Sequence, residues 1–262
     1  MTTPELSTNS NADFVSGTVT SLAKRKLDVD TLQKFNYQIG TAHKRPVQIA
    51  NFYNKDHELV AQKLRYPDKS FQWIGEAKDA QLFGQHLWRD KGKMVIVTEG
   101  EIDALSVSKV NKNKYPVVSV KTGAKGAKRD LLKELEWLEG FDSVVLMFDN
   151  DTAGDMATKR ILEIKNNQPS DLNFFKLNLP NNYKDISEFF EDGEKNINNI
   201  FDQKQELVEF CTNLIIDTND TKKTFQEFKN ITKFLSPLEK DLAISYLSKN
   251  CLLYTSDAAD EE

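Results

Sequence analysis

The sequence predicts an α/β fold: a parallel sheet flanked by helices, preceded by a small antiparallel β-rich subdomain and followed by helices. Three observations carry this. Between Lys93 and Leu177, short apolar runs alternate with helical stretches, the pattern of βαβ units. Before them, Pro46 to Trp73 reads as short strands, with a turn sequence at Asn54-Lys55-Asp56-His57. After Asp185 the apolar spacing is helical.

The chain has 262 residues, enough for one large domain or two small ones. A hydrophobic content of 39% supports a real core, and a net charge of −5 gives no global basic field for nucleic acid. No apolar run approaches the roughly 20 residues that span a membrane, and the polar N-terminus lacks a signal-peptide core. Cys211 and Cys251 are too few for a disulfide framework or a structural zinc site, so a reducing, cytosolic setting is expected.

In chain order, residues 1–20 are rich in Ser, Thr and Asn and read as disordered or linker. Leu22 to Tyr37 reads as a helix capped by Asp28 or Asp30, with Leu27, Leu32 and Phe35 on one face. Strands follow at Val47–Phe52, Leu59–Tyr66 and Phe71–Ile74. Leu82–Trp88 is a bridging segment, in which His86 is assigned no chemistry. The parallel sheet then takes Met94–Val97, Pro116–Val120, Ser143–Phe148 and Leu172–Leu177. The intervening helices are Ile102–Val110, Ala127–Leu138 (ended by Gly140) and Ala153–Ile164. Helices at Ile186–Phe190, Gln203–Ile216, Thr221–Phe234 and Pro237–Lys249 close the readable chain.

Three acidic stretches stand at the ends of these strands: Thr98-Glu99-Gly100-Glu101-Ile102-Asp103, Phe148-Asp149-Asn150-Asp151-Thr152-Ala153-Gly154, and Lys184-Asp185. Carboxyl ends of parallel strands are where α/β sheets bind ligands. Clustered carboxylates repel unless a cation neutralises them, and an oxygen-only set suits a hard ion. Singly, each acid is also a good helix N-cap; the two paired strand-end patterns favour the metal. Lys63, Arg65 and Lys69 are solvated strand and turn charges on one reading, a phosphate-binding rim on the other. Lys121, Lys125, Lys128 and Arg129, beside Gly123 and Gly126, oppose the dipole of the helix they open, which favours a phosphate or DNA-backbone contact over simple solvation.

The paired acidic pattern resembles the TOPRIM fold of bacterial-type primases, type IA and II topoisomerases and some nucleases. With Tyr115-Pro116-Val117-Val118-Ser119, Leu179-Pro180 and Lys184-Asp185, the resemblance narrows to the primase half of phage bifunctional primase–helicases, relatives of the helicase Twinkle. Gln62-Lys63-Leu64-Arg65, Asp68-Lys69-Ser70-Phe71 and Leu82-Phe83-Gly84-Gln85-His86-Leu87-Trp88 resemble the N-terminal part of the same RNA polymerase domain. The resemblance covers roughly Leu27 to Phe190. It implies synthesis of short RNA primers on single-stranded DNA from ribonucleoside triphosphates during phage replication, in the cytoplasm of the infected bacterium. Glu99, Asp149 and Asp151 would be catalytic and hold Mg²⁺ (or Mn²⁺), with Asp185 as a further ligand. Asp103, Gly100 and Gly154 would support the site. Lys63, Arg65 and Lys69 would meet nucleotide phosphates or template. A replicative helicase, in cis beyond Asn250 or in trans, is the implied partner.

A TOPRIM nuclease, using the same carboxylates with water as nucleophile, and a non-catalytic DNA-binding or helicase-docking module are the alternative readings. The sequence departs from the family in having no Cys pairs for an N-terminal zinc module and no Gly-rich Walker A loop. The expected organisation is linker 1–20, N-terminal primase subdomain 21–92, TOPRIM domain 93–192 and C-terminal helical region 193–250. Residues 251–262 back-translate into a sequencing-library adapter and are read as an artefact.

Overall fold

Side-chain alternation decides both sheets. The computed structural model describes residues 13–164, 172–180, 182–192, 200, 203–216 and 220–257. The first sheet is antiparallel and five-stranded, in the order β1 (Gly17–Thr18), β2 (Gln38–Ala42), β3 (Arg45–Tyr53), β4 (Leu59–Arg65), β5 (Phe71–Gly75). The Asn54 side chain builds the β3–β4 turn by accepting from the backbone N–H of Asp56 and Glu58. Register pairs Ala50 with Lys63 and Lys63 with Trp73, and likewise Gln48 with Arg65 and Arg65 with Phe71. Period two therefore puts Lys63 and Arg65 on one face, with Leu64 buried on the other.

The second sheet has the order β10-β9-β8-β6-β7. Strands β6 (Val95–Thr98), β7 (Val117–Ser119), β8 (Val144–Met147) and β9 (Phe174–Leu177) are parallel, and β10 (Lys204–Glu206) is antiparallel to β9. Both faces are covered, as a parallel sheet requires. Val95, Val97, Leu146 and Phe148 face one core; Ile96, Val145 and Met147 face the other. The first core is roofed by α3 (Ala127–Lys133), α4 (Leu135–Leu138), α5 (Thr152–Ile161) and α7 (Leu207–Ile216). The second holds α2 (Glu101–Val110) and α6 (Ile186–Glu191), together with Leu32, Phe35, Phe52 and Phe83 from the N-terminal part. Helices α8 (Thr221–Ile231) and α9 (Pro237–Asp257) follow. No helix among the described residues is long and apolar enough to cross a membrane.

The Leu82–Trp88 segment joins the two sheets. Phe83 exchanges backbone hydrogen bonds with Ser119 of β7, and its ring lies 5.6 Å from Phe35 and 5.5 Å from Phe52. Gly84 has φ +80°, and a Cβ there would stand 2.5 Å from the Phe35 ring. His86 packs against the Tyr53 ring at 4.0 Å.

Four details differ from the expectations. The helix expected over Leu22–Tyr37 is interrupted at Lys26, whose φ of 52° is left-handed, so only Val29–Lys34 (α1) is α-helical, capped by Asp28. The helix expected over Ala127–Leu138 breaks at Glu134, which turns its carboxylate inward to the buried Gln85. Gln203 does not open a helix: Lys204–Glu206 pairs with the open edge of β9, and the helix starts at Leu207. Strands β1 and β2 are additional, and β1 falls in the stretch expected as linker, of which residues 1–12 lie outside the described residues.

Candidate functional site

A cleft of about 670 Å³ opens between the two sheets. It is lined by the acids Glu99, Asp103, Asp149 and Asp185 together with the bases Arg25, Lys63, Arg65 and Lys69. The acids are there because β6 and β8 both end at the cleft: Glu99 directly follows Thr98, and Asp149 stands two residues beyond Met147. Asp103 lies one helical turn past Glu99.

Each carboxylate has its own environment. Glu99 Oε1 accepts from the Ala124 backbone N–H at 3.1 Å, while Oε2 is buried with no hydrogen-bond partner. Burial, with Glu99 and Asp185 nearby, pushes Asp149 up to about 7, against the pull of Lys184. Asp103 is also raised well above the usual range, first by burial and then by Asp185 and Asp149. Asp151 is lowered, chiefly by the backbone N–H of Gly154. It caps α5 through Ala153 and Gly154, both at 3.0 Å, and Asp185 caps α6 through Glu188 at 2.7 Å. The capping role foreseen for single acids is thus real, and it leaves Oδ2 of each aspartate out of the cap. Gly154 serves packing: a Cβ there would stand 2.1 Å from the Asp149 carbonyl oxygen. At Gly100 a Cβ would meet Asp103 Oδ2 at 2.8 Å.

Lys184 Nζ stands 3.4 Å from Asp151 Oδ2 and 3.7 Å from Asp149 Oδ2, a positive charge of the chain's own between the two aspartates. Among the described residues, no three ligating side chains meet closely enough to form a ready-made metal cage. The donors still fit a hard divalent ion: they are all oxygens, one buried oxygen of Glu99 has no partner, and the Asp149 carboxyl is pushed up by burial and by the neighbouring Glu99 and Asp185. Mg²⁺ is ordinarily held by one or two carboxylates together with water and substrate phosphates, not by a full protein cage.

The basic residues divide. Arg65 and Lys69 line the cleft mouth, with Arg65 5.9 Å from the Phe71 ring. Lys63 lines it too, but its ammonium pairs with Glu101 at 2.7 Å and donates to the Lys121 carbonyl at 3.0 Å. Lys121 is buried, donating to the carbonyls of Ala80 (2.6 Å) and Ala77 (3.3 Å), and burial lowers its pKa. Lys128 pairs with Glu163, and Arg129 with Asp130. Lys125 is exposed on the turn before α3. Lys125, Lys128 and Arg129 are not part of the cleft lining. Among the charged cleft residues without an assigned role, Arg25, Glu101 and Lys184 stand out. Arg25 pairs with Glu191 at 2.7 Å across 166 residues of sequence, which no local pattern signals. Glu101 lies inside the acidic motif itself, so its position was on view but not its partner.

Comparison with known proteins places this architecture. Residues 17–75 match the family described as Bacteriophage T7 DNA helicase/primase, N-terminal a+b fold, and residues 96–190 match the Toprim-like family. The crystal structure of the primase fragment of the bacteriophage T7 primase–helicase protein aligns with a TM-score of 0.65 and 33% identity, over 77% of this chain and 81% of that one. The chain belongs to the T7-type phage helicase/primase family. A DNA helicase/primase of Enterobacteria phage T3 is 38% identical over 148 residues, 56% of this chain. The match spans only 26% of that relative's length. The DnaG catalytic core shares the fold at a TM-score of 0.64 and 15% identity, over 87% of this chain and 88% of that one. The expected TOPRIM-type sheet with its antiparallel N-terminal companion is therefore the fold of this family member.

Proposed function

We propose that this chain makes short RNA primers on single-stranded DNA from ribonucleoside triphosphates. The observation that carries this is one cleft lined by both carboxylates and cations. A triphosphate needs both: cations to hold its anionic tail, and carboxylates to hold the divalent ion that accompanies it. That ion, Mg²⁺ or Mn²⁺, would activate the attacking 3′ hydroxyl and stabilise charge on the leaving pyrophosphate. Glu99, Asp149 and Asp151 would hold it, with Asp185 as a further oxygen donor. Asp103, Gly100 and Gly154 shape the acidic site. Arg65 and Lys69 meet phosphates at the mouth. Lys63 and Lys121 brace the site from within, and Lys125, exposed on the turn before α3, would meet DNA backbone.

Residues 21–92 and 93–192 form the N-terminal and TOPRIM parts of this unit, a division supported by the two matched segments. Residues 193–250 follow as a C-terminal region, whose described part is helical except for β10 (Lys204–Glu206). The T3 relative is named a helicase/primase, which supports a replicative helicase as partner, in cis or in trans, and action in the cytoplasm of an infected bacterium.

The test is incubation with Mg²⁺, labelled ribonucleotides and single-stranded DNA, alongside Glu99→Ala and Asp149→Ala. Short RNA products that both variants lose are expected. Degraded DNA would mean a nuclease, and DNA binding without turnover a non-catalytic module.

A further inference from the structure

Lys176 is a charged residue at a position that asks for an apolar one. It lies on β9 opposite Leu146 of β8, on the face that also carries Phe174 and Phe148. It is 1% exposed. Its Nζ donates to the Phe148 carbonyl at 2.9 Å, and Phe148 is the residue directly before Asp149. The Phe210 ring of α7 lies 5.9 Å from the ammonium, so the C-terminal helices help to seal it from water. An ammonium has three donors, and its burial is costly unless negative charge compensates. That charge comes from Asp155 on α5 and from Asp149, Glu99 and Asp151 at the strand ends. Burial lowers its pKa to about 8, which leaves it mostly charged at neutral pH.

We propose that Lys176 is a positioning residue for the acidic site: a buried counter-charge behind the strand ends that stabilises the clustered carboxylates before a divalent ion arrives and opposes that ion's binding. Lys184 does this from the solvent side and can swing away. Lys176 cannot, because the sheet and α7 hold it. The ion is thereby bound weakly enough to exchange, and the cation-free site stays folded. This inference rests on the reading of Glu99, Asp149 and Asp151 as metal ligands.

The test is Mn²⁺ binding to the full chain, read from the electron paramagnetic resonance signal of free Mn²⁺, together with the melting midpoint in chelator. Lys176→Met is expected to melt lower in chelator and to bind Mn²⁺ about ten-fold more tightly than the wild type. A residue that merely props the Phe148 carbonyl would do the opposite, because its loss misplaces Asp149. Unchanged or weaker binding therefore overturns the inference. If Lys176→Met does not fold, Asp155→Asn is compared with Asp155→Asn/Lys176→Met, where the same tightening is expected and its absence is equally decisive. A wild type that binds no Mn²⁺, or binds it as well after Asp149→Ala, overturns the metal reading and this inference together. Binding that Asp149→Ala abolishes and Lys176→Met fails to tighten overturns this inference alone.

Discussion

Lys63 and Glu101 form the ion pair that carries most consequence for interpreting variants. Their side chains are only 12% and 9% exposed. Removing one partner of such a pair strands a buried charge, whereas replacing both costs far less. Lys63→Met should therefore destabilise the fold by about 3 kcal/mol, and Lys63→Met/Glu101→Leu should recover most of it. Chemical denaturation of the two variants measures this; equal losses would show that the pair is not a structural unit. Activity lost in Lys63→Met is then not evidence of phosphate contact unless the double variant also lacks it. His86 carries a second residue-scale prediction. Burial, and then His57, push its imidazole down from 6.5 to about 4. The folded state binds the proton less well than the unfolded chain, so this contribution is complete above pH 6.5 and is lost as pH falls towards 4. His86→Gln should flatten the melting midpoint between pH 7 and pH 4.5 by about 5 °C relative to wild type. Parallel pH profiles for the two proteins would contradict it.

At the scale of elements, Asp151 and Asp185 are each a helix cap and a proposed metal ligand, and one substitution series separates the roles. Asparagine caps as well as aspartate but carries no charge. Asp151→Asn and Asp185→Asn should keep their stability within about 0.5 kcal/mol, while the alanine variants lose about 1 kcal/mol each. Primer synthesis should fall in both Asp151 variants, and stability only in the alanine one, as paired melting and primer assays would register. An asparagine variant that remained fully active would remove Asp151 from the metal set. These caps were legible in the sequence because they are local: a short apolar strand, a carboxylate, then a helix fixes where Glu99, Asp149 and Asp151 sit. The strands were less so. Gln38–Ala42 has little apolar alternation, and Lys204–Glu206 has none; both are strands only because a neighbouring edge supplies hydrogen bonds. The break at Lys26 and the inward turn of Glu134 likewise depend on distant partners. The same holds for the cleft: its acidic residues follow from the motifs, but Arg25 needs Glu191, and Lys121 is buried by Ala77 and Ala80 of a segment more than forty residues away.

Across the whole molecule, the two sheets share a core as well as a cleft. Leu32, Phe35, Phe52 and Phe83 pack in one cluster with Ile96, Leu105 and Val117 of the parallel-sheet layer. Phe83 is fully buried and also bonds its backbone to β7, so it belongs to both halves at once. A cleft lined from both sheets needs such a joint: if the sheets moved independently, Arg65 and Lys69 would not stay in one cleft with Glu99 and Asp149. Phe83→Ala leaves the backbone bridge in place and removes only the shared packing. It should cost about 3–5 kcal/mol. Because the core is common, that loss should appear as one transition shifted to lower temperature, with tryptophan fluorescence and far-UV circular dichroism coinciding. Trp73 reports on the antiparallel sheet and Trp137 on the parallel one, so mutants retaining one or the other resolve the halves. Two separated transitions in the wild type would mean that the sheets fold as independent units and that the cleft is a hinge. A single transition means that the spacing between the basic and acidic residues of the cleft is set by the folded core itself.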